Sequence, residues 1–201
     1  MSKFSLTYRV MVMLALAAML SACGPYIFRS GALIEPPNPA TDFTLLDSDG
    51  QPFQLSQQRS KLTLMFFGFT NCPDVCPTTL ADMKAVRERL GADANKTQFI
   101  MITVDPERDT PERMGRYVKS FDPSFIGLHG TQEQLAQIYK AYGVTAIRRE
   151  LPNSALKYTM DHSASVYVID KGQQWRAQLM YGSAIDDLVS DIRYLIRSGG
   201  Y

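Results

Sequence analysis

Soft metal donors are scarce in this sequence. Its 201 residues hold three cysteines and two histidines. A closed structural zinc site takes four such ligands, and with Cys23 in the N-terminal leader pattern no further cysteine remains to help Cys72 and Cys76 build one. Charge of one sign is equally short, with 21 basic residues against 20 acidic ones. Without a basic excess, or basic residues interleaved with aromatics, no nucleic-acid partner is implied. No internal repeat or low-complexity tract is present. A single globular domain with a proper core fits the length and the 45% hydrophobic content.

A long apolar run is also missing. Val10 to Leu20 is apolar and follows Lys3 and Arg9, but a spanning helix needs about 20 such residues. The pattern is that of a secretory signal peptide. Leu20-Ser21-Ala22-Cys23 resembles the bacterial lipobox, which implies cleavage after residue 22 and lipidation of Cys23. An ordinary signal peptide or an uncleaved anchor are the alternatives. All three place the domain outside the cytoplasm. Loss of residues 1–22 removes Lys3 and Arg9 and no acidic residue, so the mature charge stays near zero. Gly24 to Ala40, with Pro25, Pro36, Pro37 and Pro39, reads as an extended tether. Its apolar residues, Tyr26, Ile27, Phe28, Leu33 and Ile34, could instead pack locally. The domain is expected from residue 42 to residue 201.

With Cys23 lipidated, Cys72 and Cys76 remain. They sit where an apolar run, Leu62 to Phe67, gives way to a helix with Leu80, Met83 and Val86 at helical spacing. A helix N-terminus offers free N–H groups and partial positive charge, which favour thiolate over thiol. Four-residue spacing there puts both sulfurs on one side, within reach of a disulfide or one shared metal ion. As a mere staple the pair would close little chain and gain little from loop entropy.

A hairpin is predicted around Asp47-Ser48-Asp49-Gly50, then a buried strand at 62–67 and a helix over 77–90. Strand 97–104 follows. A helix capped at Asp109-Thr110-Pro111 comes next, then a short strand at 125–128 and a helix opened by the capping box Thr131 to Gln134. Residues 147–158 read as a polar excursion with irregular strand. A hairpin, 165–170 and 175–180, and an amphipathic helix over 186–197 end the chain. This order predicts an α/β, three-layer fold: a mixed central sheet with helices on both faces. It resembles the thioredoxin fold with an N-terminal hairpin and an inserted strand–helix unit.

Two thiolates select soft metals, and Cu(I) needs few ligands. In a thioredoxin-like layout the loop entering strand 165–170 faces the cysteine turn, so His162 is the candidate third donor. Asp161 is the candidate to orient the site or complete coordination of an oxidised metal. His129, Met65, Met83, Met101 and Met160 are read as structural, as are Phe66, Phe67 and Phe69. Asp105, Arg108 and Asp109 are read as capping or solvated groups first, and as site support second.

Gly68 to Thr79, around Cys72-Pro73-Asp74-Val75-Cys76-Pro77, resembles the Cys-Pro-x-x-Cys-Pro turn of the Sco/SenC copper proteins. Val104 to Pro111 resembles their second motif and Asp161-His162-Ser163 their third. The resemblance implies copper bound by Cys72, Cys76 and His162. It also implies a part in assembling the dinuclear copper centre of cytochrome c oxidase subunit II, served by an upstream copper donor and a thiol reductant. Members act as copper donors, as reductants of the target's cysteines, or both. The competing reading is therefore a thiol–disulfide oxidoreductase cycling Cys72 and Cys76 as a redox-active disulfide. Three residues rather than thioredoxin's two between the cysteines, and no proline before the late strand, favour metal binding. A thiol peroxidase is a weaker third reading.

Overall fold

A computed structural model describes residues 26–199. The signal-peptide expectation for residues 1–22 and the lipidation expectation for Cys23 lie outside those residues.

Ten strands form around one buried run. The strands are β1 (Gly31–Pro39), β2 (Thr44–Leu46), β3 (Pro52–Gln54), β4 (Leu62–Gly68), β5 (Thr97–Thr103), β6 (Ile126–Leu128), β7 (Ala146–Glu150), β8 (Tyr158–His162), β9 (Val166–Ile169) and β10 (Gln174–Leu179). The helices are α1 (Val75–Leu90), α2 (Pro111–Lys119), α3 (Gln132–Tyr142) and α4 (Ile185–Ser198). Every residue of β4 and β5 is buried, as continuous apolar runs covered on both faces require. They are the centre of a six-stranded sheet ordered β1-β10-β9-β4-β5-β6. β4, β5 and β6 are parallel, joined by crossover helices, and β9, β10 and β1 add antiparallel neighbours.

Alternation along β4 sends its side chains to two layers. Leu64 lies beside Met83 and Val86 of α1, and α1 packs against α4. Phe67 meets Tyr139 and Tyr142 of α3 and Tyr167 of β9 edge-on or tilted. Helices thus cover both faces, in the thioredoxin-like arrangement that the element order predicts. Local signals hold at the helix starts. Thr110 caps α2 with Pro111 following it, and Thr131 and Gln134 close the capping box of α3.

Three expectations change. The tether expected to run to residue 41 is instead part of the domain: β1 pairs with β10 at the sheet edge. The prolines that suggested a tether are tolerated because an edge strand leaves half its backbone unpaired. The register shift between Leu33 and Asn38 absorbs Pro36 and Pro37. Residues 147–158 are not irregular; their ends build the antiparallel hairpin β7–β8, in full register from Ala146↔His162 to Glu150↔Tyr158. That hairpin stands outside the main sheet, and the exposure of Ile147 to Glu150 erased any apolar alternation. Finally, α1 begins at Val75 rather than Pro77, which brings Cys76 inside its first turn.

Candidate metal centre

The site stands at the C-terminal end of β4, where the chain leaves the sheet for α1. Gly68 closes the strand, and its carbonyl accepts from the Val104 N–H at 2.9 Å. A Cβ at Gly68 would stand 2.8 Å from Cys76 Sγ and 2.9 Å from Met101 Cε. Only glycine leaves the sulfur its place, because real Cβ contacts do not come this close.

Cys72 is half-buried in the turn, and Cys76 is fully buried in the first turn of α1. The Cys76 N–H donates to Cys72 Sγ at 3.3 Å, one of the free donors every helix start carries. The Cys76 thiol, the His162 ring and the backbone N–H groups of Asp74 and Cys76 together hold Cys72 down to about 4. Burial, then the neighbouring Cys72, push Cys76 well up. One thiolate and one thiol, sharing a proton, describe the metal-free pair.

His162 comes from the last residue of β8. Its Nε2 is 3.4 Å from Cys76 Sγ and 3.9 Å from Cys72 Sγ. Its Nδ1 lies 3.0 Å from the Ser163 carbonyl oxygen, which accepts only if Nδ1 carries the proton. With Nδ1 engaged there, Nε2 is the ring nitrogen turned to the sulfurs and the one available to a metal. Phe69 and Phe66 stand edge-on to the imidazole, with centroids 5.7 and 5.9 Å away, and fix its plane. The two sulfurs and the ring nitrogen lie within 4.8 Å of one another. Two thiolates and an imidazole, three donors around one point beneath an apolar wall, match what Cu(I) takes.

Asp161 does not join them. Residues 158, 160 and 162 share one face of β8, so Asp161 points the other way. There its carboxylate pairs with Arg149 of β7, with Nε 3.0 Å away. The expectation that Asp161 orients the site or completes coordination is corrected accordingly. Met160 shares the face of His162 but lines a separate hollow with Asp105, Arg148 and Tyr158. His129 is structural, its backbone bridging Leu46 in both directions at 2.8 Å.

Support comes from residues read first as caps. Asp109 is fully buried. Its carboxylate accepts from the Thr70 hydroxyl at 2.5 Å, the Thr70 N–H at 3.1 Å and the Thr103 hydroxyl at 2.8 Å. Burial nevertheless raises its pKa. Arg108 pairs with the buried Asp105 and donates to the Tyr158 carbonyl at 3.1 Å. The Tyr158 ring lies between the guanidinium groups of Arg108, at 3.7 Å, and Arg148, at 3.6 Å. The loop after β5 thus holds the cysteine turn on one side and the hairpin carrying His162 on the other. In sequence Arg108 and Asp109 read first as capping or solvated charges and second as site support. Nothing in their spacing told burial from solvation.

Fold and site together define a thioredoxin-like domain carrying a three-donor, soft-metal centre at the start of its first helix. The chain belongs to the SCO1/SenC family, whose sequence model matches residues 32–197. It is 38% identical over 133 residues to an SCO2-like protein of Rickettsia prowazekii, covering 66% of this chain and 65% of that one. The chain thus spans just under two thirds of that relative's length. The solution structure of apo Sco1 from Thermus thermophilus is similar at TM-score 0.76 and 36% identity, over 86% of this chain and 99% of that one. Bradyrhizobium japonicum ScoI with copper bound is similar at TM-score 0.70 and 36% identity, over 78% and 98%.

Proposed function

We propose that this protein is an extracytoplasmic copper chaperone that holds one Cu(I) on Cys72, Cys76 and His162. It passes the ion to the dinuclear copper centre of cytochrome c oxidase subunit II or a similar acceptor. The observation that carries this reading is the convergence of both sulfurs and His162 Nε2 within 4.8 Å. Family membership and the copper-bound relative support it.

The arrangement suits a carrier that must also let go. Cys72 already has thiolate character and solvent access, so it is the ligand an incoming acceptor thiolate displaces first. Cys76 is buried and gives up its proton as copper enters. His162 keeps the ion until the acceptor completes its own set. An upstream donor loads the site, and a thiol reductant keeps the pair reduced. On the reading of residues 1–22 as a signal peptide and of Cys23 as a lipidation site, the chain works on the outer side of a membrane as a lipoprotein. A dithiol reductant has no need of an imidazole at both sulfurs, so thiol–disulfide exchange is the less favoured use of the pair.

Mixing the copper-loaded chain with the soluble domain of the oxidase subunit tests the transfer. The reading expects metal analysis of the two separated proteins to find the copper on the acceptor and lost from this chain. Reduction of the acceptor's disulfide with copper left behind would instead make the protein a reductant.

A further inference from the structure

Tyr117 of α2 is turned the wrong way round for a surface tyrosine. The residue as a whole is only half-buried against the core. Its hydroxyl oxygen is nevertheless buried and has no hydrogen-bond partner among the described residues. A tyrosine at a protein surface ordinarily keeps its polar tip wet, and a buried tip ordinarily finds a partner. A buried hydroxyl left unpaired is a cost that needs a reason.

The fold shows where the tip goes. Side chains on a helix lean toward its N-terminus, over the residue one turn earlier. For Tyr117 that residue is Arg113, which donates to the Thr70 hydroxyl at 2.7 Å and to Asn71 Oδ1. Thr70 and Asn71 lead straight into Cys72. Arg113, Tyr117 and Phe121 follow one another at four-residue spacing, and Phe121 lies edge-on to the Tyr117 ring at 5.6 Å. Beside the far end of this row Asp122 meets Arg87 of α1 at 3.5 Å. The row thus runs from the cysteine turn along α1, and its middle member leans back toward the first turn of α1, where Cys76 sits. The charges around the phenol agree. Burial first, then Cys76, Cys72 and Asp109, push its pKa up. Asp109 is already engaged by Thr70 and Thr103, which leaves the sulfurs as the acceptors the hydroxyl faces.

We infer that Tyr117 is a positioning residue of the metal centre, whose hydroxyl donates to Cys76 Sγ once both sulfurs are metal-bound thiolates. The inference rests on the copper reading of Cys72, Cys76 and His162. In the metal-free pair Cys76 is a thiol that turns its proton to Cys72, and it attracts the phenol weakly. In the loaded protein that proton has left, and a buried sulfur carries charge where a donor is worth most. Tyr117 keeps its own proton throughout. A hydroxyl unpaired in the metal-free protein is paired in the loaded one, and the difference favours loading.

Tyr117→Phe, reduced and anaerobic beside the native protein, tests this by separating stability from affinity. In chemical denaturation the metal-free variant should be as stable as the native protein or more so, because an unpartnered hydroxyl is removed. In competition with a Cu(I) chelator it should hold copper roughly tenfold less tightly, as when a ligand loses its outer partner. Loaded with Cu(II), its thiolate-to-copper absorption should move to longer wavelength, because the sulfur has lost a donor. Equal affinity in the two proteins would overturn the inference. So would a metal-free variant clearly less stable than the native protein, which would make Tyr117 a packing residue. Native protein that takes up no copper would instead remove the copper reading, and this role of Tyr117 with it.

Discussion

Asp109 reaches across 39 residues to hold Thr70 by both its N–H and its hydroxyl. Thr70 is two residues before Cys72, so this buried carboxylate sets where the cysteine turn begins. Asp109→Ala would leave the Thr70 N–H and the Thr103 hydroxyl without their acceptor. A loss of about 2–4 kcal/mol in chemical denaturation is expected, from a penalty of roughly 1–3 kcal/mol per stranded buried group. A loss below about 0.5 kcal/mol, the range of ordinary surface substitutions, would show that water replaces the carboxylate.

Gly68 leaves room for a sulfur. Gly68→Ala places a Cβ against Cys76 Sγ, Phe66 and Met101, three groups with nowhere to go. Destabilisation of about 1–3 kcal/mol is expected. Copper affinity should fall roughly tenfold, as when a ligand's support is disturbed. Unchanged affinity in a chelator titration would mean that the turn is softer than this contact implies.

The two thiols should differ sharply in reactivity with pH. Cys72 is held down to about 4, so it remains thiolate as pH falls from 8 to 5. Its alkylation rate in the metal-free protein should be nearly flat over that window. An ordinary thiol, with a pKa of about 8.5, would slow about tenfold per pH unit. Cys76, buried and raised, should stay unmodified until the protein unfolds. A Cys72 rate that falls steadily below pH 8 would contradict the shared-proton description.

The hairpin that delivers His162 is held by Tyr158 and its two arginines. Tyr158→Phe removes the hydroxyl's bonds to Asp105, at 2.8 Å, and to Glu107, at 3.4 Å, and should cost about 1 kcal/mol. Arg108→Ala removes the ion pair, the stacking and the link to the Tyr158 carbonyl together. It should speed amide exchange in β7 and β8 while leaving β4 and β5 protected. Exchange rising equally in the central sheet would mean that Arg108 supports the whole domain rather than the hairpin.

Much of this was legible in the residues. The apolar runs of β4 and β5 and the caps Thr110 and Thr131 announce their elements by local chemistry, and the structure places them within a residue or two. The cysteine turn and His162 could be brought together only through an expected layout, because 86 residues separate His162 from Cys76. Asp161 shows the limit of adjacency. A neighbour in sequence is an opposite face in a strand, and β8 was not predicted as a regular strand. The Asp109 network was hidden for a related reason. A buried carboxylate and a solvated one look alike until the donors arrive from elsewhere in the chain. The prolines of β1 misdirected because their cost depends on whether a strand is central or at the edge.

The central claim is that Cys72, Cys76 and His162 form one copper site. Anaerobic titration of the reduced protein against a Cu(I) chelator, beside His162→Ala and Cys76→Ser, tests it directly. The account expects about one tightly held copper per chain. Both variants should lose affinity by more than the roughly 100-fold that follows loss of an outer supporting group. Native protein that fails to compete with the chelator, or a His162→Ala variant that binds as tightly as the native chain, would contradict it.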